Sequence, residues 1–299
     1  MAMDTTKVIL PRSVATYIKD NTKGHSTIAA LSPAQPQLFA DTDYLVFDGA
    51  SEAEVVGEGQ VKSSYEQATT NLVGKRFKVQ TTTRVTSELQ WADEDNKLEI
   101  VNAIQADQVA ALGRVLDYVV YHAYNPKPKA ELEGFSKLSE TAVQVTASND
   151  PVADVDKLTD ALVNYDINGI ALSKTWASTL RKVRLDNGQR MYPEIPINLN
   201  AGTFEGINAS TSPTVSGSLI DPATGVLAFL GDFSKIRWGF VRDITAEIIP
   251  YGDPDQTGVD LKAHNQVAYR TEAVYAYTVI DPNAFAVLKA PAQNTKSAK

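Results

Sequence analysis

Asp253, Asp255 and Thr257, spaced two apart and followed by Gly258, are the residues of this sequence best arranged to converge on a cation. The pattern mimics the opening of a calcium loop, with glycine at the sixth position for the sharp turn. The twelfth position holds His264 where a bidentate glutamate is needed, and no helical pattern enters the loop, so a surface turn with solvated carboxylates is expected. His25, His122 and His264 each lack a second histidine three or four residues away, so no helix face is built for a metal. His122 falls at the edge of an apolar helical stripe, where a packed, hydrogen-bonded ring is expected. Glu52 with Glu54, and Asp154 with Asp156, sit two apart, a spacing that spreads carboxylates over a solvated face instead of aiming both at one bond.

Two glycine motifs also fall short. Gly57-Glu58-Gly59 begins a dinucleotide fingerprint, but Lys62 stands at the third glycine position and no helix pattern opens there. Gly74-Lys75 lacks the upstream glycine and the following hydroxyl residue of a phosphate loop. Tyr269, Tyr275 and Tyr277 share one face of a strand pattern. Stacking bases there would need a basic groove, yet only Arg270 is near and it points the other way, so core or interface packing is expected. These residues assign no catalytic, cofactor-binding or metal site, and no cofactor is expected.

The totals narrow the classes further. The 299 residues suffice for one large domain or two sharing a sheet, and 43% apolar with 21% charged residues is an ordinary globular balance. A net charge of −8 argues against a protein that coats nucleic acid by neutralising phosphates. With no cysteine there is no disulfide, thiolate metal site or thiol nucleophile. No apolar run reaches the length of a membrane span, and no apolar signal segment follows the first basic residue.

The elements that must carry these residues are organised around residues 94–124, a long helical pattern with no interior proline. Leu98, Val101, Ile104, Val109, Leu112, Leu116, Val119 and Ala123 fall on one stripe, with Asp107 and Arg114 opposite. Asp93, Glu94 and Asp95 suit the positive end of its dipole, and Asn125-Pro126-Lys127-Pro128 is expected to close it. Such a rod would be roughly 45 Å long, with Gly113 a close-packing point or a gentle bend. Before it, residues 77–85 alternate as a strand with one buried face, and Ser87 with Gln90 reads as a capping box. Residues 49–75 read as a long, exposed two-stranded excursion, and residues 1–40 as an arm that gains order on a neighbour or as a loose tail. After Pro128, Asp150-Pro151 and Ser173 start helices, Ile170-Ala171-Leu172 is a buried strand, and Asp186-Asn187-Gly188 is a turn. Residues 198–225 suggest loops and short strands. Residues 236–241, 244–248 and 267–280 read as three strands.

The order of these pieces carries a resemblance. Ala53-Glu54-Val55-Val56-Gly57-Glu58-Gly59, Val85-Thr86-Ser87-Glu88-Leu89 before the long helix, and Arg181-Lys182-Val183-Arg184-Leu185-Asp186-Asn187-Gly188-Gln189 are three of them. Gly231-Asp232-Phe233-Ser234-Lys235, the run from Arg270 to Tyr277, and Asp281-Pro282-Asn283-Ala284-Phe285 complete the set. Together, over roughly residues 50–290, they resemble the major capsid proteins of tailed bacteriophages, the phage capsid family with the Hong Kong 97-like fold. The resemblance implies an α+β fold with residues 1–40 as N-terminal arm, 41–76 as extended loop and 77–149 as peripheral domain with a spine helix. It also implies 150–234 as axial domain, 235–281 as peripheral-domain strands, and 282–299 as a C-terminal return and tail.

By the same resemblance the chain would self-assemble as hexamers and pentamers into an icosahedral shell around double-stranded DNA, in a virion assembled in the bacterial cytoplasm. Its partners would be further copies of itself, a portal protein, a separate scaffolding protein and decoration proteins. DNA would meet the inner face non-specifically, near arm residues Arg12, Lys19 and Lys23 and tail residues Lys289, Lys296 and Lys299. Because the arm pattern starts almost at Met1, the expectation is that scaffolding comes from a separate protein or that no large piece is cleaved from this chain. Lys62 is a candidate cross-linking position without an identifiable partner, so no cross-link is predicted. An encapsulin nanocompartment is the alternative within the fold, and a soluble hydrolase or binding module the alternative outside it.

Overall fold

The computed structural model describes residues 24–35, 43–48, 53–64, 68–96 and 99–291. The long helical pattern resolves into two helices, α2 (Ser87–Asn96) and α3 (Ile100–His122), not one rod. Glu99 between them has φ 55°, a left-handed conformation that a right-handed helix cannot carry through. Asp93 explains the restart: its carboxylate accepts from the N–H groups of Ile100 (2.8 Å) and Val101 (3.2 Å), donors that a new first turn leaves free. The far end also differs from expectation. Ala123 turns left-handed and its N–H reaches the carbonyls of Tyr118 and Val119, closing α3 before Pro126 is reached. At 23 residues α3 is roughly 34 Å long. At the start of α2 the Thr86 hydroxyl takes the N–H of Leu89, so Thr86 caps the helix in place of Ser87.

The exposed face of α3 ends before Arg114, whose side chain, expected to project into water, is only 11% exposed and lies 3.8 Å from Asp107. Beyond it, residues 116–124 are all buried, so this half is surrounded. Val109, expected on the dry stripe, is exposed, and Gly113 has open space where a Cβ would stand, so no close approach requires it. Gln108 fastens the middle of the helix to the sheet beneath. Its amide donates to the Thr83 hydroxyl and the Tyr269 carbonyl, both at 3.0 Å, and accepts from Thr271 at 2.7 Å.

Two strands, β1 (Asp43–Asp48) and β2 (Ala68–Val73), pair antiparallel with each other and lead into β3 (Lys75–Thr86). After α3, β4 (Tyr124–Asn125), β5 (Ala130–Glu131) and the single turn α4 (Leu138–Thr141) return the chain to a six-stranded sheet. That sheet takes β6 (Val143–Thr146), β7 (Gly169–Leu172), β8 (Thr203–Phe204), β9 (Ile207–Thr211) and β10 (Val226–Gly231), joined later by β13 (Phe285–Lys289). Its spatial order is β6-β13-β10-β7-β9-β8. The remaining strands, β11 (Ile236–Ile249) and β12 (Gln266–Val279), form an antiparallel sheet with β3, in the order β11-β12-β3. The two strands expected at 236–241 and 244–248 are thus one strand, its register shifted between Phe240 and Thr245.

The helices flanking the six-stranded sheet start as their sequences dictate. Asp150 accepts from Val152 N–H, with Pro151 opening α5 (Pro151–Asp160), and Ser173 accepts from Trp176 N–H at the start of α6 (Lys174–Leu180). Leu158, Leu162, Trp176 and Leu180 pack on Ile170, Leu172, Ala228 and Leu230 on one side of this sheet. A second core joins Phe229, Phe285 and Val287 to Leu116 and Tyr121 of α3, and to Trp238 and Tyr275 of the three-stranded sheet. Tyr121 stacks on Phe229 with ring centroids 4.4 Å apart. The buried half of α3 is therefore the element that both sheets share.

Candidate assembly surfaces

Among the described residues the β1–β2 hairpin pairs with no other strand, and its tip carries apolar side chains into water. Val55 is 100% and Val61 90% exposed. Between them Gly57-Glu58-Gly59 forms a turn, closed by Gln60 N–H on the Gly57 carbonyl at 3.2 Å, so the glycines bend the tip instead of cradling a phosphate. Glu54 is exposed, as expected of a solvated carboxylate, and is also tied down. It accepts from the hydroxyl and the N–H of Ser63, which hold its carboxyl below the usual range. Lys62 is exposed on this tip; Glu52 lies outside the described residues. Large apolar side chains bared on a hairpin mark a surface that another chain covers.

A second construction anchors the segment at residues 24–35 to the rest of the chain. Asp117, within the buried half of α3, accepts five hydrogen bonds. They come from Ser26 hydroxyl (2.6 Å), Thr27 N–H (2.8 Å) and hydroxyl (3.0 Å), Ile28 N–H (3.1 Å) and Thr214 hydroxyl (2.5 Å). The donors stand at the start of the short helix α1 (Thr27–Leu31) and in the loop after β9. Burial raises the Asp117 pKa, and the bonds from Ser26, Thr214, Thr27 and Ile28 oppose that rise. Gly24 enters this junction with φ +75°, where a Cβ would stand 2.4 Å from Pro213 and Ser212, so both conformation and space demand glycine. Further along, Ser32 hydroxyl donates to the Ile236 carbonyl, Trp238 Nε1–H donates to the Ser32 carbonyl, and Gln35 N–H donates to the Trp238 carbonyl. Sequence reasoning passed over Asp117; the signal was a lone carboxylate inside the otherwise apolar and aromatic run from Leu116 to Tyr121.

The would-be calcium loop has a different occupant. Arg84, expected on the wet face of its strand, is buried, and its guanidinium donates to Asp253 (2.5 Å), to both oxygens of Asp255 and to the Val259 carbonyl (2.8 Å). Asp253 also accepts from Thr257 N–H and Gly258 N–H. The loop folds over the far face of β3, so a side chain that alternation assigns to solvent becomes the cation of the loop. Arg84→Met should cost about 2 kcal/mol, because Asp253 and Asp255 remain partly exposed and can rehydrate once the guanidinium is gone. Urea unfolding of the variant checks this; a midpoint equal to wild type would mean the clamp adds nothing.

The other candidates separate into isolated roles. His25 Nε2 lies 3.1 Å from the Ser210 hydroxyl, and His264 Nδ1 lies 2.9 Å from the Asp260 carbonyl on the surface. His122 is buried with Nε2 3.1 Å from the Val215 carbonyl, the packed ring its position suggested. Asp154 is buried, against expectation, because Ser148 donates its N–H and hydroxyl to it, while Asp156 is exposed. Tyr269, Tyr275 and Tyr277 are buried, and Tyr275 stacks on Phe77 at 5.5 Å, which makes them core. Arg270 points away, to Thr82 and the Pro254 carbonyl. No group of three His, Asp or Glu side chains among the described residues could hold a metal ion, and no described helix is long and apolar enough to cross a membrane.

An α+β chain with a long helix shared by two sheets and a bared hairpin has the Hong Kong 97-like capsid fold, and solved structures agree. A chain from Mycobacterium phage Ogopogo is 30% identical, with a TM-score of 0.82 over 97% of this chain and 100% of that one. A chain from Gordonia phage Cozz is 26% identical, with a TM-score of 0.79 over 96% and 93%. A protein of Mycobacterium phage D29, named as probable major capsid protein gp17, is 26% identical over 178 residues. That alignment spans 53% of this chain and 56% of the relative's length. Residues 6–290 match the phage capsid family, and the chain belongs to it.

Proposed function

We propose that this chain is the major capsid protein of a tailed bacteriophage, a structural protein and not an enzyme, which closes into an icosahedral shell of hexamers and pentamers around double-stranded DNA. Membership of the phage capsid family supports the class. The single observation that carries self-assembly is the hairpin tip with Val55 and Val61 in water. One copy gains nothing from exposing them, whereas closed symmetry covers every tip with a neighbour.

In this reading residues 1–40 are the arm, 41–76 the extended loop, 77–149 and 235–281 the peripheral domain with α3 as spine, 150–234 the axial domain, and 282–299 the C-terminal return. A portal protein, a scaffolding protein, decoration proteins and the packaged DNA are the further partners, in a virion assembled in the bacterial cytoplasm. The test is Val55→Asp with Val61→Asp. Unfolding of the isolated subunit should move by no more than about 0.5 kcal/mol, as for other open surface sites. Assembly should collapse, since each valine buried between copies contributes about 1.5 kcal/mol or more and the change recurs at every subunit. Light scattering that reports particles of normal size and yield would contradict the reading.

A further inference from the structure

Two features of the 150–234 region are left unsatisfied within one copy. The first is a cleft of about 170 Å³ beside α5 and the β8–β9 hairpin, walled by Val155, Leu158, Ile170, Phe204, Ile207 and Leu230. Its rim is acidic. Glu205 lines it, burial raises the Glu205 pKa, and Glu194 and Asp156 are near enough to raise it further. Tyr192, packed on Phe204 at 5.1 Å, is pushed up to about 12 by burial first and then by Glu205, Asp156, Asp150 and Glu194. Glu205, Glu194 and Asp156 form no ion pair among the described residues.

The second feature is the turn at Asp186-Asn187-Gly188. The chain doubles back there, with Leu185 N–H on the Gln189 carbonyl and Gly188 N–H on the Leu185 carbonyl. Arg184 and Arg190 sit directly opposite each other across it, an arrangement of like charges that destabilises a strand pair. Neither arginine, nor Lys182, has a carboxylate partner among the described residues. Leu185, at the foot of the turn, is 45% exposed.

An apolar side chain flanked by cations and an apolar cleft lined in part by Glu205, with Glu194 and Asp156 close enough to act on it, are the two halves of one contact. We propose that Leu185 of one copy enters the cleft of the next, with Arg184 and Arg190 against Glu205, Glu194 and Asp156, so that copies join head to tail into a closed ring. Cavities of roughly 150 Å³ accept a benzene-sized group, so the cleft has room for a leucine side chain. The contact is heterologous: each copy offers both halves, and rotation closes the ring with none left over. The charged rim fixes register and rejects wrong pairings, while the leucine supplies the buried apolar area. The inference rests on the shell reading above and names the surfaces that build its rings.

The cysteine-free sequence makes the test clean. Leu185→Cys with Thr159→Cys, Thr159 being an exposed residue of the cleft lining, is placed in the full chain and oxidised after assembly. A reducible ladder of covalent oligomers, absent beyond dimers in either single variant, is the expected result. Normal particles without a ladder overturn the contact and leave the shell reading standing. A wild-type chain that forms no particle overturns both. As a second arm, Arg184→Glu with Arg190→Glu should reduce assembly at least tenfold, and adding Glu205→Arg with Glu194→Arg should restore it. Undiminished assembly of the reversed hairpin, or a change confined to the nucleic-acid content of the particles, also overturns the contact.

Discussion

Asp117→Ala is expected to destabilise the subunit by about 4 kcal/mol and to free residues 24–35 from the fold. Burial raises the pKa of this carboxylate, so the charge itself is costly where it stands. Removing it is worse, because hydroxyls of Ser26, Thr27 and Thr214 and two N–H groups lose their acceptor inside the protein. Each buried donor left unsatisfied costs about 1–3 kcal/mol, and release of the segment into water caps the sum. Urea unfolding measures the loss, and protease cleavage within residues 24–35 at native conditions reports the release. Asp117→Asn keeps the shape but turns an amide donor toward other donors, so it should fall between wild type and alanine. An alanine variant within about 0.5 kcal/mol of wild type, with the segment still protected, would contradict the anchoring role.

Acid should weaken the subunit through His122. Its pKa lies at about 4, lowered from 6.5 by burial, which outweighs the carbonyls of Val215 and Thr214; Lys289 and Lys137 push the same way as burial. Above pH 6.5 the ring is neutral folded or unfolded, and the group has no effect on stability. Between 6.5 and about 4 only the unfolded chain takes the proton, so stability is lost as pH falls, reaching about 3 kcal/mol below that window. Asp117 acts in the opposite sense, since a raised carboxyl pKa makes protonation favour the fold, and the comparison must therefore be with a variant. His122→Gln retains a donor for the Val215 carbonyl and removes the titration. Stability curves of the two proteins should run parallel above pH 7 and diverge toward pH 4; parallel curves throughout would contradict the assignment.

Much of the fold was legible because local chemistry decided it. Asp150-Pro151 and Ser173 start helices by supplying acceptors to free N–H groups, and Asp186-Asn187-Gly188 turns because Gly188 takes φ +82°. The alternating apolar residues of β12 face the core as their period requires. What stayed hidden depended on partners remote in sequence. Arg84 is buried only because a loop some 170 positions away crosses its strand, which no period of two encodes. Asp117 is satisfied by segments about 90 residues before it and 97 after it. The break at Glu99 is hidden because Asp93, suited to the start of one long helix, caps a second one. The exposed hairpin was legible as an exposed excursion, but the ties that shape its tip, Glu54 to Ser63, were not.

Copies of this chain are expected to complete one another. Electron microscopy of the purified full chain, over a concentration series, tests this most directly. Closed shells, or rings of five and six that disappear on dilution, are the predicted result. A monomer that stays single and fully folded at every concentration, its Val55 and Val61 still bared to water, would contradict it.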